Sequence, residues 1–305
     1  MKFFQLNSFE VSKNPNVLDS FKNKNNLGIE ITDKNIASIL TAGNIDHHRM
    51  GDDDNTPAAC EQAIQWPYFD GNIIIQIPDA DSLTAAAILL DKVIFFQCAG
   101  EYFNQTGGDL EPVKELDIDL IKSIGKIDRL GVHACPVEIN NIYITAIRAV
   151  INIKDLSLED KIYMIKDLLY KKDIPDIVYQ QIENDKKLLA EAKENSKITI
   201  LEKNNKKITF IESTLPFATQ IAYEISDICI AFNNKMLKDF KNPDMGTYKK
   251  WTISLRDSHV KAKINFDNLN KLESGWGGRA TIGGSPQGVD SILTIDQILS
   301  CIEKI

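Results

Sequence analysis

Ile73-Ile74-Ile75-Gln76-Ile77-Pro78-Asp79-Ala80-Asp81-Ser82 is the stretch on which the reading of the fold turns. Residues 73–77 are apolar except for Gln76, which suits a strand buried on both faces rather than one with an alternating wet side. Residues 82–93 are rich in Ala and Leu and follow, after a short loop, as a helix. Strand, loop and helix together make one unit of a mostly parallel sheet. Ligands of such sheets collect outside the carboxyl ends of the strands, where Asp79 and Asp81 stand. Two carboxylates one residue apart in a turn can converge on a hard divalent cation. The same residues also serve as helix caps, and the local sequence leaves both roles open.

Upstream, Thr56-Pro57 reads as the N-cap and first position of a helix running through Glu61 towards Trp66. A further helix is expected over residues 119–130. Residues 1–155 therefore form one α/β domain. Two charged helices follow, over 157–170 and 174–195, with Ile162, Ile165 and Leu169 on one stripe of the first. They read as a helical connector spanning 156–196. A second domain, 197–305, opens with a hairpin across Asn204-Asn205. It continues with strands over 227–232 and 250–256, and closes with a helix from Ile295, marked by the capping box of Thr294 and Gln297. The fold class is α/β: a mostly parallel-sheet N-terminal domain and a smaller mixed α/β C-terminal domain, joined by helices.

With 43% hydrophobic and 26% charged residues, the 305-residue chain has the composition of a soluble globular protein. No apolar run reaches the roughly 18 residues of a membrane span, and the N-terminus lacks a signal-peptide core, so a cytoplasmic location and no membrane partner are expected. Cys60, Cys98, Cys135, Cys229 and Cys301 have no CxxC spacing and read as reduced core residues. A net charge of −8 argues against a broad binder of duplex DNA, whose affinity comes largely from basic side chains. Small phosphorylated substrates and very short oligonucleotides stay open.

Three further stretches carry candidate chemistry. Asp46-His47-His48 can divide labour, one imidazole on a metal and the other on a phosphate oxygen. Asp128, in Gly125-Lys126-Ile127-Asp128-Arg129-Leu130-Gly131, reads from its neighbours as an ion-pair residue of a surface helix. Ser254-Leu255-Arg256, a helix over 264–272 and Gly275-Trp276-Gly277-Gly278-Arg279 make a surface where backbone can approach a phosphate, glycine having no Cβ to block it. Asp52-Asp53-Asp54 reads as a solvated acidic run, and His133 and His259 as ordinary histidines.

The last of these stretches resembles the DHH-associated C-terminal domain of the DHH phosphoesterase superfamily. There, a strand with Ser-x-Arg leads through a helix into Gly-Gly-Gly-His. Here Trp276 stands at the first glycine and Arg279 at the histidine. The first DHH motif, a strand and His-x-x-Pro-Asp-x-Asp before a small-residue helix, is similar to residues 75–89 except that Ile75 replaces the histidine. Asp46-His47-His48 matches the tripeptide that names the family, but precedes the Asp-x-Asp instead of following it. Either the half-domain is circularly permuted or the tripeptide is a coincidence.

The resemblance implies a metal-dependent hydrolase acting on short oligonucleotides, dinucleotides or a small phosphorylated compound. It implies manganese (Mn2+), or Mg2+, held by Asp46, His47, Asp79, Asp81 and Asp128, with His48 as the catalytic group. Arg256, Gly277, Gly278 and Arg279 would bind substrate, and a homodimer is compatible with this reading. The losses at Ile75 and at the family's histidine keep a second reading open, a catalytically degenerate nucleotide-binding protein. A nonenzymatic oligomer scaffold is a third.

Overall fold

The computed structural model describes residues 1–47, 56–105, 116–132, 135–238, 243–256, 262–279 and 281–303, without the side chains of 9, 95–105, 136 and 279. The chain divides into two compact units, Met1–Glu183 and Asn184–Ile305.

The first unit is built on strands β1 (Lys2–Gln5), β2 (Asn26–Ile29), β3 (Gly43–Ile45) and β4 (Asn72–Ile75). They form a four-stranded sheet in the order β1-β4-β2-β3, every pair parallel. Ile73, Ile74 and Ile75 are fully buried because both faces of the sheet are covered. Ile73 and Ile75 join Leu27, Ile29 and Ile45 in the main core. Ile74 points the other way, to a smaller cluster with Leu6, Phe21 and Ile36 around helices α1 (Ser8–Lys13) and α2 (Lys34–Ala37). The strand ends at Ile75, two residues short of the expected end. There the Gln76 side-chain oxygen accepts from the amides of Thr32 (2.9 Å) and Asp33 (3.1 Å), and Ile77 turns out to solvent.

The main core is closed by α3 (Ala59–Gln65), α4 (Ala80–Gln105), α5 (Ile118–Leu130), a short α6 (Pro136–Ile139), α7 (Ile142–Asn152) and α8 (Leu158–Leu169). Ile162, Ile165 and Leu169, the stripe expected on a connector, are buried in this core, as is Val178 of α9 (Asp176–Asn195). Close approach of α3 to α5 requires Gly125. A Cβ there would lie 2.8 Å from the Glu61 carboxyl carbon and 3.0 Å from the Ala58 Cβ. Among the described residues, no helix is long and apolar enough to cross a membrane.

The second unit holds a six-stranded mixed sheet, β10-β11-β8-β7-β6-β5. Its strands are β5 (Lys197–Lys203), β6 (Lys206–Glu212), β7 (Ile228–Leu237), β8 (Thr247–Leu255), β10 (Gly277–Arg279) and β11 (Ile282–Gly284). β5 and β6 are joined by Asn204 and Asn205, both at positive φ (50° and 62°), the twist that a two-residue hairpin needs. One core lies around Trp251, stacked near Phe210 and Phe232. Trp276, Leu269 of α11 (Phe266–Leu272) and Ile298 of α12 (Ile295–Ser300) complete it. β9 (Lys263–Ile264) and β12 (Ile302–Glu303) form a separate two-stranded pair. α10 (Ala218–Tyr223) covers a second cluster with Ile211 and Cys229. The capping box at α12 is present, the Thr294 hydroxyl accepting from the Gln297 amide and the Gln297 side chain accepting from the Thr294 amide at 2.9 Å.

The glycine stretch expected as a loop is a β-hairpin, because Gly277 and Gly278 pair with Gly284 and Gly283. Gly278 has φ +144°, and a Cβ on it would strike the Ile282 carbonyl and come within 2.6 Å of the Gly283 Cα. Nothing lies within 4 Å of a Cβ placed on Gly277. Gly278→Ala should therefore destabilise the second unit by about 1–3 kcal/mol, whereas Gly277→Ala should stay within about 0.5 kcal/mol of wild type. Chemical denaturation of both variants checks this, and equal stabilities would show that the backbone at 278 is not constrained as described.

Candidate metal centre

Three adjacent strand ends create the site. Ile29 of β2 lies in register with Ile45 of β3 on one side and Ile75 of β4 on the other, so the residues that follow them leave the sheet at one edge. After β2 comes Glu30, a non-glycine residue at φ 54° whose amide donates to the Ile45 carbonyl at 2.8 Å. That left-handed turn carries a local conformational cost and swings the side chain over the strand ends. After β3 come Asp46 and His47, and after β4 the turn that enters α4.

Glu30, His47, Asp81 and Asp128 converge here, each offering a ligand atom, and these atoms all lie within 4.8 Å of one another. His47 Nε2 is 2.7 Å from Asp128 Oδ2 and 3.1 Å from Glu30 Oε1. Opposite ligands of an ion bound at about 2.0–2.6 Å stand about 4–5 Å apart, so the spacing matches a single divalent ion. The donor set is three carboxylates and one imidazole, with no thiolate. Such an oxygen-rich set is of the kind that binds hard divalent cations. The group could thus hold a metal ion.

Asp81 is positioned by two helices at once. It sits in the first turn of α4, while its carboxylate reaches the start of α3, accepting from the amides of Ala59 (2.7 Å) and Cys60 (2.8 Å). α3 accordingly begins at Ala59, and the expected cap at Thr56 is replaced by this tertiary one. Glu61 accepts from the Ala58 amide at 2.8 Å and pairs with Arg129 of α5, which ties the turn bearing Asp128 to α3. Asp79 caps its own helix: its Oδ1 accepts from the Ser82 amide at 2.8 Å, and the Ser82 hydroxyl accepts from the Asp79 amide at 3.0 Å.

Burial pushes the Glu30 carboxyl up, against the lowering contact with His47, and Asp79, Asp81 and Asp128 push it further. Burial likewise raises Asp81, with the charge of Asp128 next in importance. Burial alone would lower His47, but its contacts with Asp128 and Glu30 outweigh that and raise it to about 10. All three shifts favour the protonated form. Without a cation, Glu30 and His47 hold protons at neutral pH that the free side chains would release.

Of the residues expected to ligate metal, His47, Asp81 and Asp128 come together. Asp46 and Asp79 lie outside the group: the Asp46 Oδ2 accepts from the Asn44 side chain at 3.4 Å, and Asp79 caps α4. Glu30 was not singled out by sequence. Its only signal is a carboxylate closing the buried run Asn26-Leu27-Gly28-Ile29 at a strand end. His48, the Asp52-Asp53-Asp54 run, His133 and His259 fall outside the described residues, as does the side chain of Arg279.

In the second unit the spacing of Ser254 and Arg256 sets both against Tyr223. Its hydroxyl donates to Ser254, its carbonyl accepts from Arg256 at 2.7 Å, and its ring lies under the guanidinium at 5.2 Å. Arg256 also pairs with Asp227 at 3.0 Å. Trp276, at the family's first glycine, fills the core and donates its indole N–H to Glu273 at 2.8 Å.

No family model and no curated protein matches the chain. Among solved structures, the pGpG-specific phosphodiesterase PggH of Vibrio cholerae is similar over 85% of this chain and 76% of its own, at 12% identity and a TM-score of 0.39. An uncharacterized protein of Helicobacter pylori G27 covers 90% of this chain and 97% of its own, at 10% identity and a TM-score of 0.18. Overlap at this level leaves the chemistry to rest on the chain's own residues.

A pH profile of stability reads the cluster's protons. Glu30, Asp81 and His47 all have folded values above their ordinary 4.5, 3.8 and 6.5. Their stabilising contributions are complete below those values and are lost as pH rises through the folded ones, up to about 10 for His47. In excess chelator the thermal midpoint of the first unit should fall between about pH 6 and about pH 9. Saturating Mn2+ replaces the protons, so its stabilising shift should grow with pH over the same range. A midpoint that rises with pH in chelator would contradict the arrangement.

Proposed function

We propose that the protein is a divalent-metal-dependent phosphoester hydrolase acting on short oligonucleotides, dinucleotides or a small phosphorylated compound, with manganese or magnesium as its ion. The observation that carries this reading is the convergence of Glu30, His47, Asp81 and Asp128 at the carboxyl ends of three neighbouring parallel strands. The similarity of residues 75–89 and of Asp46-His47-His48 to DHH phosphoesterase motifs supports it independently of the geometry.

Bound by these four side chains, a divalent ion supplies Lewis acidity towards a phosphoryl oxygen and a water of lowered pKa. The chain's own residues do the rest. Asp81, fixed by two backbone amides, is a preorganised ligand that cannot swing away without uncapping α3. Glu30 follows Ile29, the register partner of Ile75, so it leaves the sheet beside the strand that lacks the family's histidine. In this reading it adds a carboxylate to a group in which position 75 takes no part. Asp79 adds negative charge beside Glu30 and Asp81 and strengthens the pull on a cation. His48, next to the His47 ligand, is assigned the contact with the reacting phosphate. For the second unit the proposal keeps phosphate contacts by Arg256, Gly277, Gly278 and Arg279. Arg256 is the weaker of the two arginines in this role, its guanidinium being held by Asp227 and Tyr223.

One observation favours the second reading, a nucleotide-binding protein without turnover: both Asp81 oxygens are already engaged by backbone amides, which can reduce what they give a metal. Calorimetry with Mn2+ and Mn2+-dependent release of mononucleotide from a dinucleotide panel separate the two. Wild type should bind the ion and turn over. Glu30→Gln and Asp128→Asn should each weaken Mn2+ binding and lower kcat/KM by roughly 100-fold or more, ligand loss removing several kcal/mol of charge stabilisation. Wild type that binds Mn2+ and nucleotide without turnover leaves the binding-protein reading, and absence of Mn2+ binding defeats the proposal.

A further inference from the structure

The first unit contains a pocket of about 230 Å3 that opens beside the metal centre, and Asp128 belongs to both. Two helices wall it with the same pattern. α5 contributes Ile124, Ile127 and Asp128, and α7 contributes Ile144, Ile147 and Arg148, each set at the i, i+3, i+4 spacing that shares one helix face. The isoleucines make the lining largely apolar, Asp79 and Asp128 add carboxylates to it, of which Asp128 is shared with the metal centre, and Arg148 is the cation among the described lining residues.

This distribution of charge selects a ligand class. Carboxylates beside apolar walls repel an anion until a divalent ion is bound among them. With an ion held at Asp128, the pocket would carry positive charge from the ion and from Arg148, and a phosphate is the group that both attract. The apolar walls then receive whatever the phosphate carries. A volume of about 230 Å3 falls below the roughly 300–1,000 Å3 of pockets that enclose a whole drug-sized ligand, so it admits one ring-sized group and not a dinucleotide. We propose that this pocket is the subsite for a single ring-sized, weakly polar group of a phosphate ester, with Arg148 binding the ester's phosphate. The inference rests on the proposed metal-dependent chemistry for the positive pole at Asp128, and it adds where the substrate's terminal group sits. Arg148, a residue no motif marks, becomes a specificity-determining contact of the first unit.

Titration calorimetry on the full chain with Mn2+ tests it. The probes are phenylphosphonate and a nucleoside monophosphate, and inorganic phosphate is the control that lacks a ring. Wild type should bind both ring-bearing probes more tightly than inorganic phosphate, and the tighter of the two tells whether the ring is a nucleobase or a simple aryl group. Arg148→Ala should weaken both by about 10- to 100-fold, as expected for loss of a charge-assisted contact, with Mn2+ affinity unchanged. Arg148→Lys should recover part of the loss. Val132→Trp, placed at a partly exposed lining position, fills the space and should weaken the ring-bearing probes while sparing inorganic phosphate. It carries the test even where Arg148→Ala fails to fold. Ring-bearing probes bound no better than inorganic phosphate, or bound equally by wild type, Arg148→Ala and Val132→Trp, would overturn the subsite. A protein that takes up no Mn2+ would overturn the proposed hydrolase and the subsite together, whereas Mn2+ uptake with no preference for ring-bearing probes would overturn the subsite alone.

Discussion

Two backbone amides pointed at one carboxylate hold the candidate site together. The Ala59 and Cys60 N–H groups open α3 and have no earlier turn to bond to, while Asp81 at the head of α4 has oxygens that burial would otherwise leave without water. Each need is met by the other. The helix N-termini are thereby set side by side, and the positive ends of their backbone dipoles face the strand ends. With α3 fixed in this way, its Glu61 engages Arg129, and the neighbouring Asp128 is presented to His47. Gly125 lets α5 come near enough for this to happen. The metal centre depends on a capping interaction between elements that no local rule would pair.

The cluster is electrostatically expensive, and the expense defines its chemistry. Three carboxylates beside one imidazole in a largely buried space repel one another more strongly than water would allow them to. The protein can relieve this by keeping protons, and the raised values of Glu30, Asp81 and His47 record that response. A divalent cation bound among the four groups would relieve it more completely. Proton and metal would then compete for one set of lone pairs, and ion affinity would depend on pH through the same residues.

Much of the scaffold was legible because its signals are local. The isoleucine run, the Asn204-Asn205 turn, the stripe on α8 and the Thr294 box each need only neighbours in sequence, and each forms close to where it was expected. What failed to be legible involves partners far along the chain. Thr56 reads as a cap, yet α3 takes its cap from Asp81, 22 residues beyond Ala59. The glycines near 277 read as a phosphate loop, but sheet pairing with β11 makes them a hairpin, and the Trp276 side chain is consumed by the core. Glu30 has no motif around it, and only the register of three strands gives it a role.

The order in which the chain visits the candidate ligands matters less than the sheet that gathers them. A metal centre is assembled from strand ends, and what matters is which ends are neighbours in space. Here β2 lies between β3 and β4, so the residues after Ile29, Ile45 and Ile75 emerge side by side although the chain visits them in the order β2, β3, β4. His47, after β3, and Asp81, after β4, thereby meet in one group with Asp128 of α5. The central strand contributes as well, through the left-handed Glu30 that follows it. Chain order constrains the connections between ligands, whereas strand adjacency constrains the ligands themselves, and only the second is needed to gather a cation.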